Sequence, residues 1–176
     1  VGSFIRSFVR SCSHHIMRND AFWVRFVSDE RLLNVATAFA PFLRDQLDLD
    51  HDREDGEMTL EQMHASDIAL FSSHYFIKKP KTGKEVLWHQ DGSYWPLKPM
   101  NVVTLWIAVD PVDETNGCLR LLSGSHNDGL KELVDAHSKK DGTDVLGSAT
   151  HTEDQIDQSR VVNVVMEPGD IEIHHA

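Results

Sequence analysis

From Asp67 to its end the chain breaks into short β-rich runs separated by Gly, Pro and Asn turns, and this change of period constrains the fold most. Ile68 to Lys79 is dense in β-branched and aromatic residues and stops at Pro80. Lys81-Thr-Gly-Lys84 reads as a turn, with Glu85 to Gln90 as the returning strand. Val102 to Val109 is an unbroken β-rich run closed by Asp110-Pro111. Glu114-Thr-Asn-Gly117 and Ser123-Gly-Ser125 read as turns on either side of a strand over Cys118 to Leu122. Residues 126 to 160 are polar and read as a long loop with a short helix. Val161 to Met166 and Ile171 to His175 are predicted strands around Glu167-Pro-Gly-Asp170.

Ahead of that switch the spacing is helical. Ser28-Asp29 can cap a segment from Glu30 toward Leu47, with Leu32, Leu33, Val35, Ala36, Phe39 and Leu43 at helical intervals. Pro41 is expected to kink or divide it, and Thr59-x-x-Gln62 to open a further short helix. A chain of 176 residues suits one domain, with a helical part over about 1–66 and a strand-rich part over about 67–176. The expected fold is mainly β, a sandwich or barrel with flanking helices.

The formal net charge of -11 argues against a sequence-independent nucleic-acid binder, because no Lys/Arg stripe is present to neutralise phosphates. Cys12 and Cys118 lie far apart in unlike contexts, so neither a zinc pattern nor a disulfide framework is expected, and a reducing, cytoplasmic compartment fits best. No apolar run reaches membrane-span length. The last residues, Asp170-Ile-Glu-Ile-His-His-Ala176, read as mid-strand, which suggests a trimmed chain lacking its final strands.

The chemistry concentrates in His-x-acid pairs. Residues i and i+2 of an extended strand point the same way, so such a pair can reach one ion as part of a facial set of two imidazoles and one carboxylate. Eleven histidines and an acidic fraction of 28 in 176 predict about two matches by chance. The chain has His89/Asp91, His126/Asp128 and His151/Glu153. His126-Asn-Asp-Gly129 is turn-like, and its polar side chains suit local backbone bonds better than a metal. His151 sits in an acidic polar stretch where Thr152 or Glu153 can begin a helix, so a surface histidine is the better reading. His89 ends the apolar run Val86-Leu-Trp88 and leads into Gly92, Tyr94 and Trp95, the aromatic setting of a ligand pocket.

Trp88-His-Gln-Asp-Gly-Ser-Tyr-Trp-Pro96, Val103-Thr-Leu-Trp106, Asn116-Gly-Cys-Leu119, Gly124-Ser-His126 and Pro168-Gly-Asp170 follow one another in an order and spacing that resemble the phytanoyl-CoA dioxygenase family. The resemblance runs from about Ile68 to Ala176. It implies a double-stranded β-helix (jelly roll), Fe(II) and 2-oxoglutarate as cofactor and cosubstrate, and O2 with a small-molecule substrate. The implied reaction is hydroxylation with release of succinate and CO2. By matching position, His89 and Asp91 correspond to two metal ligands and Trp106 to the tryptophan of the 2-oxoglutarate pocket, while His126 is structural. The third ligand and the arginine that pairs with 2-oxoglutarate are expected beyond Ala176, with His175 and His174 as the in-chain candidates. Strand alternation sets His175 with Ile171 and Ile173, and His174 with Glu172.

Beside that resemblance, Ser72, His74, Phe76 and Lys78 share one strand face, so His74 or Lys78 is a candidate contact for 2-oxoglutarate or a substrate acid. A solvated lysine and a hydrogen-bonded strand histidine are the plainer alternative. Tyr94 and Trp95 are candidates for shaping the substrate pocket, or for packing a lid. Two other functions stay open: a cupin-type metal enzyme with additional ligands, and a non-catalytic jelly-roll binding module. Neither the substrate nor the oligomeric state is legible.

Overall fold

A computed structural model describes residues 5–9, 11–14, 21–45, 68–78, 80–97, 100–135 and 148–175. The chain divides into two compact units, one built from residues 1–11 and 76–176 and the other from 12–75. The described elements are mostly strands, with two α-helices.

In the larger unit, β1 (Ile5–Val9), β4 (Lys84–His89), β6 (Leu119–Leu122) and β9 (Val161–Val164) form one antiparallel sheet in the order β4-β1-β6-β9. β1 meets β4 with Ile5 opposite His89 and Val9 opposite Lys84, and the register shifts between Ile5 and Ser7. β6 meets β9 with Leu119 opposite Val164 and Leu122 opposite Val161. β5 (Val103–Ile107) and β10 (Ile171–His175) pair antiparallel as a second sheet, with Trp106 opposite Glu172 and Thr104 opposite His174. β7 (Val134–Asp135) and β8 (Ser148–Ala149) make a short third pair. The mainly β expectation therefore holds, while the described strands make small sheets and do not by themselves outline a jelly roll.

Trp88, Leu122 and Ile156 are buried together, with Val161 packed against them. Trp88 is held at both ends. Its indole Nε1 donates to Glu153 Oε2 at 2.7 Å, and its carbonyl accepts from Thr150 N at 2.9 Å. Arg120 lies 5.3 Å over the indole and meets Glu153 Oε1 at 3.4 Å, so a charged side chain caps the aromatic face. The Glu114–Gly117 turn forms as read. Asp113 Oδ1 accepts from the Thr115 and Asn116 amides, and Gly117 closes the turn at φ 89, where a side chain would be strained.

In the smaller unit, α1 (Ala21–Val27) clusters Phe22, Trp23 and Phe26. α2 (Glu30–Asp45) starts where expected: Asp29 Oδ1 accepts from Arg31 N at 3.0 Å, satisfying a first-turn donor. The Arg31 guanidinium holds the Asp29 carboxyl down at about 2. β2 (Ser11–His14) and β3 (His74–Ile77), each divided between the two units, pair as a two-stranded sheet.

Three expectations are corrected. The front of the chain is not helical throughout, because β1 and β2 are strands; β1 is recruited by pairing with two distant strands, which overrides local spacing. α2 runs across Pro41 without dividing, at the loss of one backbone donor. The strand read over Ile68 to Lys79 contracts to His74–Ile77, leaving Leu70 and Phe71 exposed. The helix expected at Thr59 lies outside the described residues.

Among the described residues, no helix is long and apolar enough to cross a membrane.

Candidate metal centre

His89 is the last residue of β4, Gln90 stays extended at φ -115, ψ 130, and Asp91 opens a single 3-10 turn through Tyr94. One extended residue between them keeps the His89 and Asp91 side chains on the same side. Their facing atoms, His89 Nε2 and Asp91 Oδ1, are 3.3 Å apart. The other imidazole nitrogen, Nδ1, bonds the Leu87 carbonyl at 2.8 Å. The carbonyl requires an N–H donor at Nδ1, which leaves Nε2 as the atom aimed at Asp91.

Gln90 points to the opposite side and is fully buried. Its Nε2 donates to Gly129 O at 3.1 Å and its Oε1 accepts from Lys131 N at 2.8 Å, while Ser93 Oγ donates to Lys131 O at 2.6 Å. These three bonds stitch residues 129–131 to the turn that carries Asp91. Gly92 is closely approached: a Cβ there would stand 3.1 Å from Leu130 Cδ1 and 3.3 Å from the Met100 side chain. Tyr94 sets its ring edge-on to His89, with centroids 5.7 Å apart, and Trp95 caps the turn half-buried.

The β5–β10 pair supplies the far wall. Thr104 and Trp106 share a face of β5, and their partners His174 and Glu172 share a face of β10. Thr104 Oγ1 donates to Asp91 Oδ2 at 3.4 Å. His174 Nε2 lies 3.7 Å from the same oxygen, and its Nδ1 meets Glu172 Oε2 at 2.7 Å. Burial alone would raise the Asp91 carboxyl, but the His174 and His89 imidazoles outweigh it and hold Asp91 well below the usual carboxylate range. Burial would likewise lower His174, yet Asp91 and Glu172 together raise it to about 9. His175, the alternate residue of β10, is buried and pairs with Val103.

Farther along the same face, Trp106 stacks on Phe76 with centroids 5.0 Å apart, and Lys78 Nζ stands 5.5 Å over the Trp106 ring. Lys78 donates to the Gly117 carbonyl, and burial pulls its ammonium down to about 8. His74 belongs to the smaller unit, where its Nε2 meets Ser72 Oγ at 2.9 Å.

The other two His-x-acid matches are differently engaged. Asp128 accepts from Arg160 at 3.2 Å. Glu153 serves Trp88 and Arg120, within a 3-10 turn whose Gln155 side chain accepts from Thr152 N at 2.9 Å. His151 is partly buried, and burial with nearby Lys131 lowers its affinity for a proton.

Thr104 and Glu172 are participants that the sequence reading did not single out. Their signal is faint: Thr104 is a lone polar residue inside an apolar strand, and Glu172 shares its short strand with His174 and His175. Among the described residues, no three His, Cys, Asp or Glu side chains are grouped so as to hold one ion.

The chain belongs to the phytanoyl-CoA dioxygenase family, whose sequence profile matches residues 14–176, well beyond the stretch from Ile68 that carries the motifs. Phytanoyl-CoA dioxygenase 1 of Oryza sativa subsp. japonica is 39% identical over 66 residues, covering 38% of this chain and 24% of that protein. Phytanoyl-CoA dioxygenase domain-containing protein 1 of Danio rerio is 39% identical over 62 residues, or 35% and 21%. The homolog of the latter in Caenorhabditis elegans is 32% identical over 110 residues, or 60% and 38%. The matched stretches thus span well under half of these relatives. No solved structure matches the chain.

Proposed function

We propose that the protein is an Fe(II)- and 2-oxoglutarate-dependent dioxygenase that hydroxylates a small molecule, with His89 and Asp91 as two of three protein ligands. The observation that carries this reading is the separation of 3.3 Å between His89 Nε2 and Asp91 Oδ1. With metal–donor bonds of about 2.1 Å, neighbouring donors around an octahedral ion lie roughly 3.0 Å apart, so the pair fits one edge of the coordination shell. The Leu87 carbonyl leaves His89 Nε2 as the donor atom, a common outer contact of metal-binding imidazoles. The third ligand stays a proposal, expected beyond Ala176 with His175 and His174 as the in-chain candidates.

When bound, Fe(II) with 2-oxoglutarate and O2 would supply the oxidising chemistry that yields succinate, CO2 and hydroxylated product. The chain's own residues position and enclose. Lys78, half over Trp106, offers an ammonium to the far carboxylate of 2-oxoglutarate, and Trp106 offers an apolar wall. Tyr94 and Trp95 flank His89 and Asp91 and would shape the substrate pocket. His74 is a weaker candidate, since its ring already meets Ser72. Family membership together with the short described strands supports a jelly roll in one oxygenase domain, and cysteine usage supports a reducing, cytoplasmic setting.

The test is succinate formation from 2-oxoglutarate with Fe(II) and O2, compared between wild type and Asp91→Ala. Loss of turnover in the variant is expected, and equal turnover in both would remove Asp91 from the site. A cupin-type centre is the second reading, and the approach of His174 to Asp91 is what favours it. A metal held by four side chains including His174 would establish it.

A further inference from the structure

We propose that Gln90 is a positioning residue: its side chain grips the backbone on both sides of Leu130 and so fixes the turn from which Asp91 presents its carboxylate beside His89. The proposal rests on the metal-site reading above. Gln90 stands between His89 and Asp91 in the chain and is fully buried. Its carboxamide is used at both ends, donating from Nε2 to Gly129 O at 3.1 Å and accepting at Oε1 from Lys131 N at 2.8 Å. A planar amide held at both ends cannot turn about its last side-chain bonds, and the backbone that carries it is held with it. A second tie follows on the other side of Asp91, where Ser93 Oγ donates to Lys131 O at 2.6 Å. The Ser93 amide also donates to Gln90 O at 3.0 Å, which closes the turn. Asp91 and Gly92 are thus bracketed by two ties to one segment.

That segment has anchors of its own. The amide of Asp128, next to Gly129, donates to Ser125 O at 2.9 Å, and its carboxylate accepts from Arg160 at 3.2 Å. Arg160 Nε donates in turn to Ser123 O at 3.0 Å. The place of residues 129–131 is therefore set from residues 123–125 and 160, and Gln90 passes that placement on to the metal turn. Gly129 takes φ 78, in the left-handed region, and a Cβ there would meet nothing within 4 Å. A side chain at Gly129 would thus strain the backbone that Gln90 grips without touching the site. An apolar side chain in place of Gln90 would forfeit both bonds to that backbone, which accounts for an amide at a position with no solvent exposure.

The experiment measures anaerobic binding of Mn2+ and Co2+ by calorimetry, with the Co2+ electronic spectrum, in the full chain at a temperature where each variant is folded by circular dichroism. Gln90→Met keeps the length of the side chain without donor or acceptor. Gln90→Glu, kept neutral by burial, can still donate to Gly129 O and accept from Lys131 N. We expect Gln90→Met to bind about 10- to 100-fold more weakly with a changed Co2+ spectrum, and Gln90→Glu to recover most of that loss. We expect Gly129→Ala to weaken binding in the wild type but no further in Gln90→Met, where the link is already cut. Wild-type affinity in Gln90→Met would overturn the proposal, as would weaker binding with an unchanged Co2+ spectrum. An equal effect of Gly129→Ala in both backgrounds would overturn it too, since the segment would then act without Gln90. If Gln90→Met does not fold, Ser93→Ala and Gly129→Ala decide the matter, and wild-type affinity in both would refute the proposal. Wild-type affinity in both His89→Ala and Asp91→Ala would show instead that the underlying metal-site reading is wrong.

Discussion

Replacing Lys78 with Met removes a cation from surroundings that the fold has largely dried. Burial lowers the Lys78 ammonium from 10.5 to about 8, with proximity to Cys118 opposing that only in part. The folded value lies below the unfolded one, so between them the unfolded chain holds the proton more readily. Wild-type stability must therefore rise with pH across the window from about 8 to about 10.5. A gap of that size contributes roughly 2.5 kcal/mol between pH 7 and pH 10, an upper figure because solvent still reaches part of the side chain. Met keeps an apolar stem beside Trp106 and cannot titrate. Urea unfolding of both proteins at pH 7, 8.5 and 10, each also carrying Cys118→Ala, isolates the effect, because Cys118 is the thiol whose titration Lys78 influences. The wild type should gain on the variant by that amount, most of it above pH 8. Stability curves that stay parallel over the whole range would refute the buried-ammonium account of Lys78.

Trp88→Phe should cost about 2–3 kcal/mol through the lost bond to Glu153 and weaker packing against Arg120, and a double-mutant cycle with Glu153→Gln should assign about 1 kcal/mol to the indole–carboxylate bond. Gly92→Val should destabilise by about 1–3 kcal/mol, because two methyl groups would press on Leu130 and Met100, whereas Gly92→Ala should be milder since Leu130 is exposed and can swing; thermal melts compare the two. Cys118 is 4% exposed, and burial pushes its thiol up, so a water-soluble disulfide reagent should label it in urea and leave it unlabelled in the folded protein.

The local pieces of the site were legible from the order of residues because they depend on backbone geometry at short range. His89 and Asp91 face one another across a single extended residue, which alternation alone implies. Asp29 caps α2, and Asp113 and Gly117 close their turn, through bonds that span three or four residues. Alternation also separated His174, with Glu172, from His175. Which strands lie side by side was a different matter. Periodicity shows which residues share a face, but says nothing of what that face meets. Tertiary pairing brought Thr104 and His174 together on Asp91 Oδ2, placed Lys78 over Trp106, and drew Ile5–Val9 between β4 and β6 out of a front that otherwise reads as helical. Antiparallel register sets such contacts, and it comes from the cooperative fit of strands far apart in the chain. His89 and Asp91 could thus be read as a pair from the sequence, whereas the approach of Thr104 and His174 to the second oxygen of Asp91 exists only because β5 and β10 meet with Thr104 opposite His174.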